Sequence, residues 1–172
     1  EVSYGLQLMG LTDEEVEKRG MQALELFGVE SHRDDPIIRA SLDLKRFVAI
    51  SSLIALEPKI LIVDEPTNGL DYEGGKKVLE VLTDLNKKGW TIIIITHNMQ
   101  LTAEYAKRVI VMKNGEIFLD GPVSEVFSQT DKLKETNISP PQVTLLGQRL
   151  QDLGFPKDLS TTEQLEGLIE KK

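Results

Sequence analysis

The sequence predicts an α/β fold, a mainly parallel sheet flanked by helices, and three consecutive stretches carry that expectation. Residues 60–63, ILIV, form a short apolar run, three of its four residues β-branched, closed by Asp64 and Glu65. Such a run is too short for a helix and predicts a fully buried parallel strand covered on both faces. Residues 73–88 then place Val78, Leu79, Val81, Leu82 and Leu85 on one helical face, ended by Gly89. Residues 90–96, WTIIIIT, form a second apolar strand. Strand, helix and strand in this order make a βαβ unit with parallel strands.

The elements before this unit are helical. Thr12 and Glu15 stand in the T-x-x-E spacing of a capping box, and Val16, Ala23, Leu24 and Phe27 follow at helical spacing, predicting an amphipathic helix over 13–27. Gly5, Gly10, Leu11 and Thr12 imitate a phosphate loop, but Leu11 stands where a lysine is needed and no buried strand precedes it, so the stretch is a decoy. A further helix is expected within 40–58, with Asp43 suited to be its N-cap.

After the βαβ unit, 99–106 reads as a short helix, and 108–113 and 116–120 as two strands joined by Asn114-Gly115, a strong hairpin signal. A helix over 122–128 follows, and the composition turns polar from Thr130, as in a linker. Ser139 and Gln142 suggest another capping box with proline at the first helical position, leading into a stripe of Val143, Leu146, Leu150 and Leu153. Ser160 and Glu163 suggest the cap of a last helix carrying Leu165, Leu168 and Ile169.

Composition narrows the function. Twenty Lys and Arg against 28 Asp and Glu give a net charge of −8, which argues against nucleic acid as a partner. There are no cysteines, so disulfides and thiolate metal sites are excluded, in keeping with a cytosolic setting. No apolar run approaches the ~20 residues of a membrane span, so any link to a membrane is expected through a partner. The first residue is Glu1 rather than methionine, which suggests a processed, truncated or partly recorded polypeptide.

Asp64 and Glu65 lie at the C-terminal end of a strand, where open α/β sheets place their ligands. Adjacent carboxylates there suit phosphate chemistry: one can hold Mg²⁺, often through water, while the other orients and deprotonates an attacking water. Pro66 stops the strand and Asn68-Gly69 supplies a tight turn. Two solvated acids at a strand end are the plainer alternative.

The string of Glu65, Pro66, Thr67, Leu70 and Asp71 after four apolar residues and Asp64 resembles the Walker B and D-loop segment of ATP-binding-cassette ATPases. His97, directly after the second strand, resembles the switch histidine of that family. The opening EVSYGLQLMGL resembles energy-coupling-factor and cobalt-type transport ATPases, the 108–121 hairpin resembles the end of the transporter ATPase core, and the string ISPPQVTLLGQRLQDLGFP resembles the C-terminal extension of energy-coupling-factor ATPases. Residues 40–58 stand at the signature motif and match its helical part, but the two glycines are Leu42 and Asp43, the glutamine is Leu44, and only Ser41 remains. The glycines matter because they let backbone amides approach a phosphate at a helix N-terminus.

The resemblance implies a partial ABC ATPase, or P-loop NTPase, fold: a helical subdomain with a degenerate signature over 1–57, an ATPase core over 58–129 and a C-terminal helical extension over 130–172. It implies ATP and Mg²⁺ as cofactors. Glu65 would be the general base, Asp64 the Mg²⁺-side carboxylate, His97 the γ-phosphate contact, Asp71 the cross-dimer contact and Ser41 the surviving signature donor. The implied partners are a second ABC ATPase subunit, identical or different, and a transmembrane transporter subunit, with the protein peripheral on the cytoplasmic face of the membrane. The family's G-x-x-x-x-G-K-S/T loop, its strand and the glutamine loop would lie before Glu1, and without them tight ATP binding by the chain alone is not expected. Three functions remain: part of the ATP-hydrolysing subunit of an importer, a non-catalytic module pairing with a competent ATPase, or a truncated remnant.

Overall fold

In a computed structural model the described residues are 1–170, and they divide into two compact units, Glu1–Ile95 and the residues from Thr96 onward. The first unit begins with α1 (Val2–Leu8), α2 (Asp13–Glu25) and α3 (Leu42–Ile54), which pack on one another. Thr12 starts α2 with the expected capping box: the Glu15 amide donates to Thr12 Oγ1 at 3.3 Å and the Thr12 amide to Glu15 Oε2 at 3.2 Å. Leu6, Val16, Ala23, Leu24, Ile50 and Ile54 are buried, and the enclosed Ser51 hydroxyl is satisfied by donating to the Ala23 carbonyl at 3.0 Å. The decoy glycines lie in and just beyond α1.

The βαβ unit follows: β1 (Ile60–Asp64), α4 (Tyr72–Lys87) and β2 (Thr91–Ile95). The strands are parallel, with Ile60 opposite Thr91 and Asp64 opposite Ile95, and α4 packs on β2 with Val78, Leu79, Val81, Leu82 and Leu85 buried. The expectation of strands buried on both faces needs correction. Leu61 and Val63 are buried, but Ile60 and Ile62 are 57% and 58% exposed and Ile93 and Ile95 are 45% and 54% exposed. A sheet has two faces, and among the described residues only the one bearing Leu61 and Val63 is covered.

The second unit contains α5 (Met99–Tyr105), the antiparallel pair β3 (Arg108–Lys113) and β4 (Glu116–Pro122), and α6 (Val123–Ser128), α7 (Thr130–Lys134), α8 (Gln142–Arg149) and α9 (Thr162–Ile169). Asn114 and Gly115 both have positive φ, as a two-residue hairpin turn requires. Phe127 and Leu133 are fully enclosed among Val109, Val111, Leu119, Val123 and Val126.

Three caps differ from expectation. Ser41, not Asp43, caps α3, accepting from the Leu44 amide at 3.2 Å, because its hydroxyl stands outside the helix while Asp43 is already in the first turn. The box at Ser139 does not form: Pro141 is the N-cap of α8 and has no side-chain acceptor to offer. The last helix is capped one residue later, by Thr161 with Gln164.

Candidate functional site

The candidate carboxylates owe their position to the end of β1. Its register with β2 continues past Asp64, since the Glu65 amide donates to the Ile95 carbonyl at 2.8 Å. Glu65 then adopts φ +44, a left-handed conformation uncommon outside glycine, and the buried Pro66 ends the strand. The turn is held by the Asn68 amide on the Glu65 carbonyl at 3.1 Å and by the Leu70 amide on the Thr67 carbonyl at 3.2 Å. It closes on Asp71, which caps α4 by accepting from the Gly74 amide at 2.7 Å. Asp64 is exposed and Glu65 half-buried, so both acids are placed where solvent and a ligand can reach them.

The N-terminus of α3 comes to the same place. A helix of 13 residues is about 20 Å long and a strand of five about 17 Å, so the chain that runs out along α3 returns along β1 to its start. A side chain on Gly74 would lie 3.2 Å from Asp71 Oδ1 and 3.8 Å from Asp43 Oδ2, and one on Gly69 would lie 3.0 Å from Leu42 Cδ2. Ser41 lines an open cleft of about 440 Å³ together with Val29, His32, Asp35, Arg39, Asp43 and Phe47. His32 Nδ1 and Asp35 Oδ2 are 2.7 Å apart there.

The first unit therefore carries Ser41, Asp64, Glu65 and Asp71. His97 belongs to the second unit, where it is exposed in the short connection before α5; Asn98 caps that helix, accepting from the Leu101 amide at 3.1 Å. Two residues of α3 that touch the turn, Leu42 beside Gly69 and Arg46, whose Nη2 donates to the Asn68 carbonyl at 3.0 Å, are not singled out as site residues by sequence. The signal that pointed to Leu42 was its bulk at a glycine position.

Comparison with known proteins gives these features a family. No protein-family model matches the chain. The energy-coupling factor transporter ATP-binding protein EcfA2 of Clostridium perfringens is 40% identical over 99% of this chain. Over most of its length the chain is homologous to part of the ATP-binding subunits of energy-coupling-factor transporters, which are ATP-binding-cassette proteins. A solved structure of cbiO1 from Clostridium perfringens, part of the ABC transporter complex cbiONQ, superimposes with a TM-score of 0.68 at 38% identity, covering 83% of this chain and 57% of that one. A dimeric ATP-binding cassette, MJ0796, in a post-hydrolysis state with ADP and phosphate gives a TM-score of 0.59 at 28% identity, covering 66% of this chain and 49% of that one. The architecture is thus a partial P-loop ATPase fold. Against its curated ABC relatives the chain spans from 25% to 62% of their length.

Proposed function

We propose that this chain is part of the ATP-hydrolysing subunit of an energy-coupling-factor or cobalt-type importer, supplying the carboxylate end of its nucleotide site and coupling hydrolysis to uptake of a small solute. The observation that carries the reading is Glu65: a half-buried carboxylate at the C-terminal end of a strand, on a left-handed backbone angle, opening a turn that ends in a helix cap. That placement lets Glu65 orient an attacking water and take its proton. Asp64, exposed beside it, would hold Mg²⁺. Among the described residues no group of three His, Asp or Glu could cage a metal, which suits an ion that takes one or two carboxylates and fills its shell with water and phosphate oxygens. Bound there, Mg²⁺ would neutralise charge developing on the phosphates.

His97 would contact the γ-phosphate, and Ser41 and Asp71 would face a second ATPase subunit. The C-terminal residues from 130 would support that pairing. Among the described residues no helix is long and apolar enough to cross a membrane, so the link to the bilayer would run through a transmembrane subunit and leave this protein on the cytoplasmic face. A second reading, a pairing module that does not itself hydrolyse ATP, is favoured by the start of α3. There Leu42 and Asp43 replace residues that could admit a phosphate, and Asp43 adds negative charge.

The test is Glu65→Gln in the assembled transporter. ATP turnover is expected to fall by at least about 100-fold while nucleotide binding persists. Unchanged turnover refutes the assignment, and an assembly whose activity depends only on the partner's own carboxylate supports the second reading.

A further inference from the structure

We propose that Arg46 is a positioning residue for Glu65, acting through the turn that follows β1. The inference rests on the reading of Glu65 given above. Arg46 Nη2 donates to the Asn68 carbonyl at 3.0 Å. The amide of that same Asn68 donates to the Glu65 carbonyl at 3.1 Å, so one residue joins the guanidinium on α3 to the backbone of the candidate base. Leu42 stands four positions before Arg46, on the same face of α3, and its side chain lies over Gly69. The two side chains brace consecutive residues of the turn, one by a charge-assisted hydrogen bond and one by packing.

The brace matters because the turn begins with a conformation that has to be held. Glu65 at φ +44 keeps a backbone angle that a non-glycine residue adopts only where its surroundings over-determine it. The strand side of the peptide is fixed by the bond to Ile95, and the turn side runs through Asn68 to Arg46. With Arg46 removed, Asn68 loses its tie to α3, and the backbone that sets the direction of the Glu65 side chain is held less firmly. Binding of substrate does not need that direction; the proton transfer does.

Leu42 has a second meaning in this light. Its bulk at a position where relatives of the motif need a glycine covers Gly69, which has φ +80 and where a side chain would be strained.

The assembled transporter carrying wild-type, Arg46→Met or Arg46→Lys protein is followed by ATP turnover and by amide hydrogen exchange. In Arg46→Met, exchange is expected to rise at Asn68 and Leu70 with β1 and the unfolding midpoint unchanged, and kcat to fall about tenfold with KM for ATP unchanged. Arg46→Lys, which keeps a donor but loses the planar fork, is expected to recover part of kcat. Unchanged exchange at Asn68 overturns the brace. Raised exchange with unchanged kcat overturns the positioning role. If the wild-type assembly does not hydrolyse ATP, the functional reading has failed, and the exchange at Asn68 still decides whether Arg46 holds the turn.

Discussion

Charge pairs at the surface of the second unit show how single residues respond to pH. Arg108 reaches across the hairpin to Asp120 in a two-pronged contact, Nε to Oδ1 at 2.7 Å and Nη2 to Oδ2 at 2.6 Å. These hydrogen bonds, with the guanidinium charge, hold the Asp120 carboxyl below the usual carboxylate range, while Asp120 in turn raises Arg108. A carboxyl depressed in the folded state stabilises it above its unfolded pKa, and that contribution fades as the pH falls through the folded pKa. The Asp120 carboxyl carbon followed by NMR is therefore expected to titrate at lower pH than an unpaired aspartate, and Arg108→Gln to return it to the ordinary range. An unmoved titration in Arg108→Gln would show that the contact does not persist in solution. At this scale much of the candidate site was legible: Asp64, Glu65 and Asp71 are named by a short string of residue types. Arg46 was not, because its partner is a backbone carbonyl, and a backbone carbonyl leaves no mark in the sequence.

Elements followed the sequence where a local signal decided them. The box of Thr12 and Glu15 lies in contiguous residues and forms as expected, and Asn114-Gly115 makes its hairpin turn. Caps were misplaced where several hydroxyls stand together, as at Ser160, Thr161 and Thr162, since spacing alone does not say which one remains outside the helix. Helix α1 was not foreseen: seven residues with a glycine at the fourth carry little periodicity, and its buried Val2 and Leu6 are fixed by packing among α1, α2 and α3. Two glycines in the C-terminal helices should separate propensity from packing. On α9, Gly167 faces open space, and Gly167→Ala is expected to stabilise by up to about 1 kcal/mol. On α8, a Cβ at Gly147 would lie 2.6 Å from the Pro156 carbonyl oxygen and 2.9 Å from Leu159 Cδ1. Backbone cannot move aside as a side-chain tip can, so Gly147→Ala is expected to destabilise by about 1–3 kcal/mol, read from denaturant midpoints. Equal effects at the two positions would mean that α8 is not seated as described.

For the molecule as a whole, the sequence signalled apolar strands correctly but not how many of their faces are covered. A continuous apolar run fits a strand with two packed faces and equally one whose second face awaits a cover, because the difference lies in neighbouring layers. The open face of the first unit presents Ile60, Ile62, Ile93 and Ile95 together. For the chain on its own, the double change of Ile62 and Ile93 to Thr is expected to reduce self-association measured by light scattering, at a stability cost of no more than about 0.5 kcal/mol per position. A large loss of stability would instead place these side chains in contact with something. The tight turns carry a different consequence, one of chemical ageing. Each unit has one asparagine followed by a glycine at positive φ, Asn68-Gly69 in the first and Asn114-Gly115 in the second. The glycine nitrogen can attack the asparagine Cγ with no Cβ in its way, closing a succinimide as the side-chain nitrogen leaves as ammonia; water then opens the ring to a carboxylate, adding one negative charge to a chain already at −8. Arg46 donates to the carbonyl of Asn68, and a turn held in this way is expected to close more slowly, so stored protein should acquire its first extra charge at the tip of the hairpin.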